Sequence, residues 1–145
     1  FNMAGLRLGY VIGSSEKLKR WNIIRDPWPL NSFAIQAGID LLSNKIFYQK
    51  WINTIHEWIN SEKSWLRNEL SKINNLKVYN SSTNFFLIES KFSLSTNIHY
   101  LEKRGILIRE CSSFRFLNEN WARISLQSSE KNKILSRIIQ DSFKK

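Results

Sequence analysis

Hydrophobic positions along the chain change their period several times, and each change predicts an element. Leu6, Leu8, Tyr10 and Ile12 alternate with Arg7, Gly9, Val11 and Gly13. That period of two predicts a strand with one crowded face. Ser14 to Trp21 reads as a short helix, with a serine cap and Glu16 in its first turn. Pro27 and Pro29, the only prolines, exclude helix and predict an extended loop over 25–32. Asn31 or Ser32 can then cap a helix over 33–42. From Lys45 to Ile73 the apolar residues Phe47, Trp51, Ile55, Trp58, Ile59, Trp65, Leu66, Leu70 and Ile73 recur at steps of three and four. A helix of that length is a rod of roughly 40 Å, long enough to bridge two domains.

After Asn74 the texture turns to short β-rich runs. Leu76–Tyr79 and Thr83–Glu89 read as strands around the turn Asn80-Ser81-Ser82. Ser93 to Lys103 reads as a helix stopped by Arg104-Gly105. Ile106 to Arg109 is a short apolar strand entering a loop over 110–120. Trp121 to Leu126 is another strand, and Ser129 to Phe143 an amphipathic helix. The order strand, strand, helix, strand, strand, helix predicts an α+β domain with its helices on one sheet face.

Composition changes this picture little. The 145 residues are 42% hydrophobic and 13% aromatic, enough for a core, and no apolar run is long enough for a membrane span. A formal net charge of +10 raises nucleic acid or an anionic surface as a partner. The lysines are scattered, however, and no RNA-binding aromatic signature or zinc spacing is present, so neither nucleic acid nor membrane is expected. The single cysteine, Cys111, cannot form an internal disulfide, which fits a reducing cytoplasm. His56 and His99 lie on predicted helices without a second ligand at metal spacing, so no metal is expected. Nor does either form a Cys–His arrangement with Cys111, which reads as a packing residue.

Three arginines stand in strand-like positions beside apolar neighbours: Arg7, Arg109 and Arg123. Buried there, each needs an anion, because an unpaired guanidinium in a core is costly. The planar fork of arginine suits carboxylate or phosphate through two parallel hydrogen bonds. The chain's own acids, among them Glu89, Glu110 and Glu119, are the alternative partners.

Five segments carry a resemblance to one family. Ala4-Gly5-Leu6-Arg7-Leu8-Gly9-Tyr10 resembles the run that follows the cofactor lysine in fold-type I pyridoxal-phosphate enzymes (aminotransferase class I/II). Trp28-Pro29-Leu30-Asn31-Ser32 resembles the segment before the interdomain helices, and Thr83-Asn84-Phe85-Phe86-Leu87 a strand that approaches the active site. Gly105-Ile106-Leu107-Ile108-Arg109-Glu110-Cys111-Ser112-Ser113-Phe114 is similar to a run in threonine-phosphate decarboxylases. Trp121-Ala122-Arg123-Ile124-Ser125 resembles the strand whose arginine holds the substrate's α-carboxylate. Two positions depart from the pattern. Ala4 stands where many relatives have proline, and Glu110 replaces the usual aspartate.

The resemblance implies a small C-terminal α+β domain (β-β-α-β-β-α) joined by a long interdomain helix to the end of an α/β large domain. Residues 1–43 would end the pyridoxal-phosphate-binding large domain, 44–74 form the helix and 75–145 the small domain. The cofactor implied is pyridoxal 5'-phosphate, with Arg7 on its phosphate. The Schiff-base lysine of a Ser-x-x-Lys motif is expected just upstream of Phe1, so the 145 residues alone are expected to be inactive. Arg123 is expected on a substrate carboxylate and Arg109 on a second anionic group. Asn84 and Arg115 are further candidates for the same pocket. The activity implied is a threonine-phosphate decarboxylase of cobalamin biosynthesis, with a histidinol-phosphate aminotransferase as alternative. The partners implied are a small amino-acid or phosphorylated amino-acid substrate and a second copy in a homodimer. A non-catalytic fragment or basic interaction domain is the reading from another class.

Overall fold

The computed structural model describes residues 4–144, so Asn2 and Met3 of the opening segment lie outside the described residues. A short 3-10 turn over Ala4–Leu6 is followed by helices α1 (Ser15–Ile24), α2 (Ser32–Ser43) and α3 (Lys45–Leu70). Then come strands β1 (Leu76–Val78) and β2 (Phe85–Ser90), helix α4 (Ser95–Glu102), strands β3 (Arg109–Glu110) and β4 (Trp121–Ser125), and helix α5 (Ser129–Ser142). Packing divides the chain into two units that meet within α3, between Asn53 and Thr54.

In the first unit local hydrogen bonds set the helix starts. Ser14 accepts from the Lys17 amide at 3.4 Å, Asn31 from Ala34 at 2.8 Å and Asn44 from Phe47 at 3.0 Å. Asp26 accepts from the Trp28 amide at 3.1 Å, which fixes the proline loop as a turn. The strand expected over Leu6–Ile12 is absent. Those residues run from the 3-10 turn through an irregular extended segment, and Arg7 adopts the left-handed region at φ 56°. A strand must give its backbone groups to a neighbour, and the other described elements of this unit are all helical. Ala34 is the one buried residue among those described here, whereas Tyr10, Ile12, Trp28 and Phe33 are exposed.

The second unit is built on a four-stranded antiparallel sheet of order β1-β2-β4-β3. Register explains its two faces. Phe86 lies opposite Ile124 and Ile88 opposite Ala122, and all four are buried. Leu66 and Leu70 of α3, Ile98 and Leu101 of α4, and Leu135 and Ile139 of α5 pack onto that same face. Burying each large side chain contributes about 1.5–3 kcal/mol, so this layer is the main source of stability. The other face carries Leu87, Arg123 and Arg109 in one cross-strand row.

In two elements one end lies three residues inside the predicted bound. The α3 helix ends at Leu70 rather than Ile73, because Lys72 and Ile73 close tight turns onto Glu69 and Leu70 and Asn75 turns left-handed at φ 67°. Of the strand expected over 106–109, only Arg109 pairs, together with Glu110. Gly105 explains the delay. At φ +71° it ends α4 in a Schellman cap, its amide bonded to the Glu102 carbonyl and that of Ile106 to Leu101.

Candidate functional site

Arg109 and Arg123 are direct cross-strand partners on the uncovered face of the sheet. Like charges opposite one another destabilise a sheet pair, so this juxtaposition asks for an anion. The chain does not supply one: among the described residues neither arginine is in an ion pair. Glu110 alternates to the opposite face from Arg109. Glu89 is held elsewhere, accepting a hydrogen bond from the Tyr79 hydroxyl at 2.6 Å.

Both guanidinium groups are positioned by neighbours rather than by acids. Arg123 lies over the Phe85 ring at 4.8 Å, and Arg109 over Phe114 at 5.5 Å. Arg109 also donates to the Ser113 hydroxyl at 3.2 Å. The loop that presents Ser113 and Phe114 is a chain of tight turns, Phe114 to Cys111, Leu117 to Phe114 and Trp121 to Asn118. The expectation that these arginines are buried is not met. Both are exposed, because the β3–β4 face carries no covering element among the described residues of the second unit. Their field nevertheless reaches the core. Burial pushes the Cys111 thiol above its usual range, while Arg123 and Arg109 pull it back down. Cys111 is buried, as a packing residue should be.

Beside the pair the sheet opens into a cleft of about 730 Å³. Its charged lining consists of Arg104, Arg109, Arg123 and Lys131, with no aspartate or glutamate among the described residues. Sequence reasoning did not single out Arg104 and Lys131, since one read as a helix stop and the other as one of many scattered lysines. No pattern in one dimension links them to Arg123.

The remaining sequence-derived candidates lie apart from the pair. Asn84 is exposed just before β2, where its carbonyl accepts from the Leu126 amide at 2.8 Å. Arg115 stacks on Phe116 at 4.7 Å, and neither it nor Asn84 lines the cleft. Arg7, in the first unit, is exposed, donates weakly to the Ala4 carbonyl at 3.4 Å, and forms no ion pair among the described residues.

One polar cluster escaped sequence reasoning. Glu62 of α3 is buried and accepts from the Ser129 hydroxyl and from the Asn132 amide, the latter at 2.8 Å. Asn132 in turn bonds both backbone groups of Gln127, at 2.9 and 2.8 Å. The hydrogen bonds from Ser129 and Asn132 hold the Glu62 carboxyl below its usual range, against the opposing effect of burial. The cluster fixes the first turn of α5, which carries Lys131.

The second unit is thus an antiparallel sheet with helices on one face and, on the other, an arginine pair without an acidic partner among the described residues. Residues 1–139 match the family model of aminotransferase class I and II, and the chain belongs to that family. It is 34% identical over 142 residues to a histidinol-phosphate aminotransferase of Caldanaerobacter subterraneus subsp. tengcongensis, covering 97% of this chain and 38% of that one. The crystal structure of L-threonine-O-3-phosphate decarboxylase from Porphyromonas gingivalis superposes with a TM-score of 0.85 at 28% identity, over 100% of this chain and 44% of that one. Histidinol-phosphate aminotransferase from Sinorhizobium meliloti, solved in complex with pyridoxal-5'-phosphate, shares the fold with a TM-score of 0.81 at 18% identity, over 98% and 38%. The chain thus spans less than half the length of these relatives.

Proposed function

We propose that this chain is the C-terminal part of a pyridoxal-phosphate enzyme that acts on a phosphorylated amino acid, in the manner of a threonine-phosphate decarboxylase. The observation that carries the reading is the Arg109–Arg123 cross-strand pair, which lacks an acidic partner among the described residues. Residues 1–43 are then the end of the large domain, 44–74 the interdomain helix and 75–145 the small domain. The exposed apolar side chains of the first unit support that division, since the rest of a large domain would cover them.

In this reading Arg7 holds the cofactor phosphate, for which its free donors are suited. When bound, pyridoxal phosphate supplies an electron sink for the charge that develops at the substrate's Cα. Arg123 binds the substrate carboxylate through its planar fork, and Arg109 binds the second anionic group. By fixing the carboxylate, Arg123 sets which bond at Cα faces the cofactor ring, and so helps choose between loss of CO₂ and loss of a proton. Phe85 and Phe114 hold the two guanidinium groups in place, which limits the entropy lost on binding.

The Gly105–Phe114 run, similar to one in threonine-phosphate decarboxylases, favours decarboxylation. The identity to the Caldanaerobacter aminotransferase supports the second reading, amination of imidazole-acetol phosphate. Product analysis with full-length protein and pyridoxal phosphate separates them. CO₂ released from O-phospho-L-threonine without 2-oxoglutarate is the expected result. Glutamate-dependent amination of imidazole-acetol phosphate, without CO₂ release, would overturn the decarboxylase.

A further inference from the structure

A second hollow lies on the helix-covered side of the sheet, where α3 passes the turn between β1 and β2. The spacing of residues along α3 builds its first wall. Leu66 and Leu70 point into the core, and Glu62, one turn before Leu66, faces α5. Lys63 and Arg67, and beside them Ser64 and Asn68, are left one turn apart on a polar flank of the helix. The turn after β1 builds the second wall. The Tyr79 amide bonds the Leu87 carbonyl at 3.0 Å, while the Ser81 hydroxyl accepts from the Thr83 amide at 3.1 Å. Asn80 and Ser81 are thus fixed from both sides. Phe86 completes the lining, and since it packs on the covered face, the sheet separates this hollow from Arg109 and Arg123.

The hollow is small and one-sided in charge. Its volume of about 290 Å³ falls at the lower end for small-molecule sites, which begin near about 300 Å³, so it suits a single compact group. No aspartate or glutamate lines it among the described residues. Glu62 is engaged by Ser129 and Asn132, and Glu69 by Lys72. Glu57 and Glu130 form no ion pair among the described residues, and neither lines the hollow. Lys63 and Arg67 are like charges one turn apart, which is unfavourable until an anion lies between them. The helix dipole favours Arg67 in the last turn of α3, but it gives no acceptor to Lys63, which is half-buried. Among the described residues the side chains of Lys63, Ser64, Arg67, Asn68 and Asn80 have no hydrogen-bond or ion-pair partner.

We propose that this hollow is a phosphate site, in which Lys63 and Arg67 supply the charge and Ser64, Asn68 and Asn80 the further donors. A phosphate carries roughly two negative charges and three acceptor oxygens, enough to meet both cations and the donors of both walls. A carboxylate would leave one cation unanswered. The site is independent of the reading given to the arginine pair.

The test is calorimetry with inorganic phosphate on full-length protein carrying pyridoxal phosphate, in which Arg109→Gln and Arg123→Gln have removed the other anion site. Phosphate should bind this parent, and Lys63→Gln or Arg67→Gln should each weaken it about tenfold, the effect of one charge-assisted hydrogen bond. Asn80→Ala, a neutral change on the opposite wall, should weaken it as well. Lys91→Gln removes an exposed charge outside the hollow and should bind phosphate like the parent. None of these four residues is buried, so unaltered thermal unfolding midpoints without phosphate verify that the variants fold. Methyl phosphate, titrated alongside, names the source: equal binding of the ester supports a phosphorylated small molecule, and binding of the free ion alone supports inorganic phosphate. The proposal fails if neither probe binds the parent, if Lys63→Gln and Arg67→Gln both bind phosphate like the parent, or if Lys91→Gln weakens it as much as they do.

Discussion

At the scale of single residues, Arg109 and Arg123 share the uncovered face of the sheet. Arg109 and Arg123 were visible in the sequence as cations in apolar strand context, and their type already suggested carboxylate or phosphate. Their exposure was not visible, because a sequence cannot say whether a sheet face is covered. Replacing Arg123 by glutamine should raise the substrate concentration needed by the full-length enzyme about 10- to 100-fold, the cost of a lost charge-assisted pair. Steady-state kinetics checks this, and an unchanged KM and kcat would contradict it. Gly105 is a second residue-scale case. A Cβ there meets nothing within 4 Å, yet φ is +71°. Gly105→Ala should therefore cost about 1–2 kcal/mol through the backbone alone, read by denaturant unfolding. Cys111 is shielded, its thiol pushed up by burial, so it should react with thiol reagents only slowly at pH 7 until the chain is unfolded.

Elements were legible where local chemistry marks their ends. Ser14, Asn31 and Gly105 set boundaries by side-chain bonds or a left-handed turn, and the sequence placed those boundaries within a few residues. The predicted strand at Leu6–Ile12 failed because alternation describes a face, not a partner. Without a neighbouring strand among the described residues, the segment stays irregular. The link between α3 and α5 was equally hidden, since Glu62, Ser129 and Asn132 lie far apart in the chain. That link makes a prediction about pH. The Glu62 carboxyl is held below its usual range when folded, so its contribution is present above the unfolded pKa and is lost as pH falls through the folded one. Glu62→Gln should lower stability at pH 7 by about 1–3 kcal/mol. The gap to the parent should close in acid, below the folded pKa. A gap that stays constant across that range would mean the carboxylate charge is not involved.

For the whole molecule, the fold family was legible because five motifs fell in one order, and the match to aminotransferase class I and II over residues 1–139 bears that out. The cleft was not legible, because Arg104, Lys131 and the arginine pair come together only through the sheet and α5. The cofactor of this account is pyridoxal 5'-phosphate, and the 145 residues alone are expected to release no product from any amino acid tried. The most direct test of the central claim uses full-length protein carrying pyridoxal phosphate. O-phospho-L-threonine is added while the visible absorbance of the cofactor is followed. The spectrum of the parent should change at low substrate concentration, and the Arg123→Gln, Arg109→Gln double variant should need at least about 100-fold more, each charged contact accounting for tenfold or more. A double variant whose spectrum changes over the same concentrations as the parent would contradict the assignment of this arginine pair as the substrate's anion site.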